Sequence, residues 1–252
     1  MRSLALEPSC AETRVANSHA FTARMCAASR WEESSRPDSL FDDPLAKKLA
    51  GDEGLAQPMG SWIMTPRTRY ADDYLRLHYG NGCRQLVLLG AGMDSRAFRM
   101  GGLDDLKVFE VDQRTIFDVK EPLVANDRPK VAARRVVATD FTARGAWARD
   151  LAAAGFDERT PTVWILEGLL MYLSMGDTTD LMRHIGDLSA RGSVVFHDAV
   201  QEAGVQGLVG IEGPAGDHQL LGQRRTDLAH QAWDAAPGQR NAQVDLGDGE
   251  TG

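Results

Sequence analysis

The residues best suited to chemistry lie between Gln85 and Gln113, in the stretch QLVLLGAGMDSRAFRMGGLDDLKVFEVDQ. Gly90 and Gly92 flank Ala91 there. Two glycines so placed let a backbone turn tightly and approach a ligand with no Cβ in between. About twenty residues on, the apolar run Val108 to Val111 ends at Asp112. A glycine turn after one strand and an acid after the next is how a doubly wound sheet holds a nucleoside: the carboxylate accepts hydrogen bonds from ribose hydroxyls. The plainer reading of the glycines is a connection between a strand and a helix.

The turn departs from the dinucleotide pattern. G-x-G-x-x-G requires a third glycine at position 95, where Ser95 stands. Asp94 and Arg96 follow the turn, and the charge of Asp94 would repel a pyrophosphate. A cationic cofactor with an amino-acid end meets no such repulsion, so the spacing favours S-adenosylmethionine over NAD.

These residues need a sheet to position them. Short apolar runs predict strands over 85–89, 107–111, 134–138, 162–166 and 193–197. Helical stretches separate them at 113–126, at 145–154 and from Asp177, and such alternation predicts a parallel sheet with helices on both faces. Ligands sit at the carboxyl ends of such strands, and here those ends carry Gly90–Gly92, Asp112, Asp140, Glu167 and His197-Asp198. Ahead of the sheet, Ala11 to Glu33 reads as a helix. Asp43-Pro44 reads as the capped start of a short helix stopping at Gly51, and Thr65-Pro66 as the start of another that stops at Gly80. Arg67 and Arg69 lie in its first turns, where a cation opposes the helix dipole and calls for a carboxylate partner. His197 reads equally well as a packed strand-end residue, and the sequence assigns no catalytic base.

The formal charge of −8 argues against a nucleic-acid backbone or an anionic membrane as the main partner. Three scattered cysteines, Cys10, Cys26 and Cys83, have no metal spacing and point to reduced thiols in a cytoplasm. The opening residues are too short an apolar run for a secretion signal, and no stretch has the length to span a bilayer. Residues 201–252 hold ten of the 25 glycines and a single aromatic, Trp233, so they read as an irregular or poorly ordered, mobile tail without a strand.

The chain resembles the bacterial S-adenosylmethionine-dependent methyltransferases related to leucine carboxyl methyltransferases and polyketide O-methyltransferases. The blocks that carry the likeness are SRPDSLFDDPLAKKLAG (35–51), RTRYADDYL (67–75), LVLLGAGMDSRAFRM (86–100), VFEVDQ (108–113), ATDF (138–141) and WILEGLLMYLS (164–174). They cover roughly residues 30 to 200. The resemblance implies an α/β class I methyltransferase fold, a Rossmann-like doubly wound sheet with an N-terminal helical cap. Its parts would be a cap over 1–80, a cofactor-binding core over 81–200 and the tail. It implies a small-molecule acceptor methylated on a carboxylate or hydroxyl. It also implies roles. Gly90, Ala91 and Gly92 let the cofactor close, Asp112 resembles the acid on the ribose, and Asp140 and Phe141 the pair flanking the adenine. Arg69, with Arg67 as second choice, resembles the arginine on the methionine carboxylate, and Glu167 the acid near the methionine amine. Members of that family finish with two more strands, which this sequence does not display after Val200. The alternative reading is therefore a cofactor-binding pseudoenzyme or nonfunctional protein with a degenerate C-terminus.

Overall fold

The computed structural model describes residues 10–139, 145–199 and 209–214. Six strands form one sheet: β1 (Gln85–Leu89), β2 (Leu103–Asp112), β3 (Val131–Ala138), β4 (Thr162–Leu166), β5 (Val194–Ala199) and β6 (Val209–Pro214). Their order is β3-β2-β1-β4-β5-β6; the first five strands run parallel and β6 pairs antiparallel to β5. Three helices precede the sheet: α1 (Cys10–Ser34), α2 (Ala46–Leu55) and α3 (Ser61–Gly80). Within it follow α4 (Arg96–Arg99), α5 (Arg114–Val124), α6 (Ala146–Ala153) and α7 (Met175–Asp187).

Strands β1 and β4 are buried on both faces, and alternate side chains serve different layers. Leu86 and Leu88 of β1, Val108 of β2, Ile165 of β4 and Phe196 of β5 pack with α1 to α5. Val87, Leu89, Phe109, Trp164 and Val195 face the other way and pack with Trp147 of α6 and Ile185 of α7. Right-handed crossovers account for this division. The chain steps outward from β1 to β3 with α4 and α5 on one face, then returns to β4 and moves to β5 with α6 and α7 on the other. The reversal falls between β1 and β4, which are hydrogen-bonded neighbours, and a crevice opens at their carboxyl ends.

Three expectations change. The absence of a strand after Val200 is corrected by β6, which pairs from Val194↔Pro214 to Ala199↔Val209. Its sequence, VGIEGP, has weak intrinsic strand character, and the unpaired edge of β5 supplies the hydrogen bonds that impose it. The rest of the expected mobile tail lies outside the described residues. Helix α3 begins at Ser61, before the Thr65-Pro66 signal, and runs through Pro66 at the cost of the bond that proline cannot donate. Asp43 does not cap α2. The residue before that helix is Leu45, and the Asp43 carboxylate is taken by Arg30 Nε at 2.8 Å and Ser95 Oγ at 2.6 Å. A guanidinium is a stronger partner for a buried carboxylate than an exposed helix N–H.

Candidate functional site

A cavity of about 540 Å³ opens at the carboxyl ends of β1 and β4, roofed by α1 and α3. Its floor is the turn after β1. Gly90 has φ +71° and Gly92 φ +47°, in the left-handed region that side chains disfavour. A Cβ on Gly90 would come 3.2 Å from Leu169, and one on Gly92 3.2 Å from Ala23 of α1. Both positions therefore require glycine for conformation and for space.

Asp112 stands at the end of β2 and lines the same cavity. Its Oδ2 accepts from Gly92 N–H at 2.7 Å and its Oδ1 from Gln113 N–H at 2.7 Å. An ionised carboxylate has about four acceptor positions, so two are left for a ligand's hydroxyls. Burial pushes the Asp112 carboxyl above its usual range, and the two backbone N–H groups offset this in part.

The opposite wall is ionic. Glu167 directly follows β4 and faces two arginines: its Oε2 meets Arg96 Nη1 at 2.5 Å, and its Oε1 lies 3.4 Å from Arg67 Nε. Arg67 Nη1 donates to Asp198 Oδ2 at 2.9 Å, and Asp198 Oδ1 accepts from Gly168 N–H at 2.7 Å. Burial works against the charge of Arg67, but Asp198 and Glu167 overcome it and raise the guanidinium's pKa. Arg67 Nε is buried and has no hydrogen-bond partner among the described residues. Arg96 also bonds Asp94 at 2.5 Å and Asp72 at 2.8 Å. Burial opposes ionisation of Asp94, yet Arg96, with Lys120, Arg99 and Arg30 behind it, holds that carboxyl at about 2. The charge of Asp94 is thus largely answered by Arg96 and is not the bare repulsive group that its place after the turn implies.

Of the residues singled out from the sequence, Gly90, Ala91, Gly92, Asp112 and Glu167 come together around this cavity. Arg69 does not. It is half-exposed, pairs with Asp73 at 2.7 Å and donates to the Leu40 carbonyl at 2.8 Å. Residues two apart on a helix point about 200° apart, so Arg67 and Arg69 cannot face one cavity, and Arg67 is the one that lines it. The expected carboxylate partner exists for each arginine, Asp198 and Glu167 for Arg67 and Asp73 for Arg69. Asp140 and Phe141 lie outside the described residues. His197 is buried, while its neighbour Asp198 lines the cavity, as alternation along β5 requires. Sequence reasoning missed Arg30, which spans Asp43 and the Met93 carbonyl at 2.6 Å and ties α1 to the glycine turn. It also missed His19 and Met171 at the cavity. Arg96, two residues after Asp94, was a readable signal of a local ion pair. Among the described residues no group of acids, histidines and cysteines has the arrangement of a metal site, and no helix is long and apolar enough to cross a membrane.

The pattern of the leucine carboxyl methyltransferase family matches residues 23–186. A protein of Mycolicibacterium smegmatis that bears the name "Putative S-adenosyl-L-methionine-dependent methyltransferase" is 39% identical over 199 residues, which is 71% of this chain and 65% of that protein. A similarly named protein of Streptomyces coelicolor is 40% identical over 177 residues, 64% of this chain and 62% of its own. This chain therefore spans a little under two thirds of the length of these relatives. The crystal structure of a DUF574 family protein from Streptomyces avermitilis superposes with a TM-score of 0.47 at 14% identity, covering 70% of this chain and 67% of that one.

Proposed function

The chain belongs to the leucine carboxyl methyltransferase family, and we propose that it transfers the methyl group of S-adenosylmethionine to a carboxylate or hydroxyl oxygen of a small molecule. The observation that carries this reading is the buried Arg67 guanidinium with its Nε lacking a hydrogen-bond partner, beside Glu167, in one cavity with Asp112. A zwitterionic amino-acid end needs a cationic fork for its carboxylate and an acid for its ammonium. A ribose needs the acid at the end of β2. Arg67, Glu167 and Asp112 supply the three in our reading, and Gly90, Ala91 and Gly92 let the nucleoside approach the backbone. Asp140 and Phe141 complete it at the adenine by resemblance. The six-stranded doubly wound sheet accords with a class I methyltransferase.

The sulfonium supplies a methyl group activated for in-line displacement, in which the carbon–sulfur bond breaks as the carbon–oxygen bond forms. The chain's part is to hold donor and acceptor in contact away from water, which can supply much of the acceleration. A carboxylate acceptor needs no base, whereas a hydroxyl must lose its proton. The net charge of −8 supports a small-molecule partner over a nucleic acid, and the scattered cysteines support a cytoplasmic setting. The reading of a degenerate C-terminus loses weight with β6 in place beside β5.

Calorimetry tests the cofactor. S-adenosylmethionine and S-adenosylhomocysteine should bind and NAD should not; binding of NAD alone would overturn the reading. Release of S-adenosylhomocysteine with panels of carboxylate and hydroxyl acceptors then tests turnover. A further expected result concerns Asp112. Asp112→Ala should weaken S-adenosylhomocysteine by about 1–3 kcal/mol, the range for losing a charged hydrogen-bond partner. Hydroxyls donating to the ionised carboxylate lower its pKa in the complex, so affinity should fall as pH drops through the free protein's value, which lies above the ordinary 3.8. Asp112→Asn should flatten that profile. An unchanged profile in the folded variant removes Asp112 from the site.

A further inference from the structure

We propose that Asp198 is the positioning residue for Arg67: it fixes which edge of the guanidinium meets the ligand and so selects ligands that carry an α-carboxylate. This rests on the reading of the cavity as an S-adenosylmethionine site. Asp198 is 3% exposed, and both of its oxygens are engaged, one by Gly168 N–H and the other by Arg67 Nη1. It thereby joins α3, the turn after β4 and the end of β5 at one point.

The division of the guanidinium's donors carries the argument. Asp198 takes Nη1. Nε is buried without a hydrogen-bond partner among the described residues, and Nη2 has the thiol of Cys26 at 3.9 Å as its partner. Nε–H and the Nη2 hydrogen beside it form the side-on fork that grips a carboxylate with two parallel bonds. By occupying Nη1, Asp198 leaves this fork for the ligand. Glu167 Oε1 is the competitor, already 3.4 Å from Nε. Without Asp198 the guanidinium is drawn to Glu167, and the fork is consumed within the protein. Gly168 fits the same arrangement: its φ is +65°, and a Cβ there would stand 3.3 Å from Arg67 Nη1. The turn after β4 thus leaves room for Nη1 on the side that Asp198 holds.

The test uses the full chain and three ligands. S-adenosylhomocysteine has carboxylate and amine, its decarboxylated analogue has the amine alone, and 5′-methylthioadenosine has neither. In Asp198→Asn the dissociation constant for S-adenosylhomocysteine should rise about tenfold or more, with the other two ligands held within about twofold. Equal weakening of all three would make Asp198 a general structural residue. Equal weakening of the two amine-bearing ligands would place it on the ammonium itself. Unchanged affinity for S-adenosylhomocysteine would leave Arg67 oriented without it. Each of these overturns the proposal while wild-type binding keeps the cofactor reading intact. A wild-type chain that binds none of the three overturns that reading and the proposal with it. If Asp198→Asn does not fold, Gly168→Ala serves instead: its Cβ displaces Nη1, and the same loss confined to the carboxylate-bearing ligand is expected.

Discussion

Arg67→Met should abolish measurable binding of S-adenosylhomocysteine, while Arg69→Ala leaves it unchanged. The first variant removes the fork from the cavity and leaves Asp198 and Glu167 facing an incoming carboxylate with like charge. Truncating one partner of a buried, hydrogen-bonded charge pair costs about 2–5 kcal/mol of binding, and the repulsion adds to it. Arg69 makes a half-exposed pair with Asp73 one helical turn away, and such pairs are worth about 0.3–0.5 kcal/mol of stability. Arg67→Met also leaves the Asp198 carboxylate buried without its cation, a destabilisation of about 3–5 kcal/mol. A melting curve shows where the variant is still folded, and binding is measured below that temperature. Retained affinity for 5′-methylthioadenosine would show that the loss lies at the amino-acid end. The outcome that sinks the assignment is the reverse one, with Arg69→Ala losing the ligand and Arg67→Met keeping it.

The choice between those arginines marks what a sequence can convey about this site. RTRY displays both residues equally, and a resemblance at the level of a motif does not separate them. Helix phase does: α3 turns Ile63, Met64, Arg67 and Thr68 toward the cavity and leaves Arg69 outside. The phase was hard to read because Pro66 looked like a helix start, whereas α3 begins at Ser61 and Pro66 sits inside it. The strands were far more legible. Gln85–Leu89 and Thr162–Leu166 coincide with the expected runs, because a strand buried on both faces reads as a near-continuous apolar run, here polar only at its first residue. Glycines and acids at strand ends were legible for a related reason, since a parallel sheet gathers those ends in one place. What stayed hidden were contacts distant in sequence. Asp43 in front of a proline has the look of a cap, but folding brings Arg30 and Ser95 to it. β6 was hidden because its strand character comes from β5 and not from its own residues.

Glu110→Ala should lower the melting temperature by about 10 °C, corresponding to about 3–5 kcal/mol at about 2–4 °C per kcal/mol for a chain of this size. Glu110 points from β2 into the face packed by α5 and is fully buried. Its oxygens accept from Lys120 Nζ at 2.7 Å, from Arg134 Nε at 2.8 Å and from Arg134 Nη2 at 2.7 Å. The two cations do not depend on it equally. Arg134 retains Glu121, which accepts at 2.6 and 3.0 Å. Lys120 is fully buried, and the truncation strands its ammonium, which is the source of the large effect. Glu110→Gln, which keeps an acceptor oxygen, should cost less. Lys120→Met added to Glu110→Ala should recover part of the loss, because the double change removes the stranded charge with its partner. The cluster lies two residues before Asp112 on β2 and anchors the helix that follows it, so it secures the strand end from beneath. Affinity for S-adenosylhomocysteine measured well below the lowered midpoint should nevertheless match the wild type, since no member of the cluster lines the cavity. A Glu110→Ala chain that melts with the wild type would show that these buried charges contribute nothing to stability; one that melts normally but loses the ligand would show that they act on Asp112 directly.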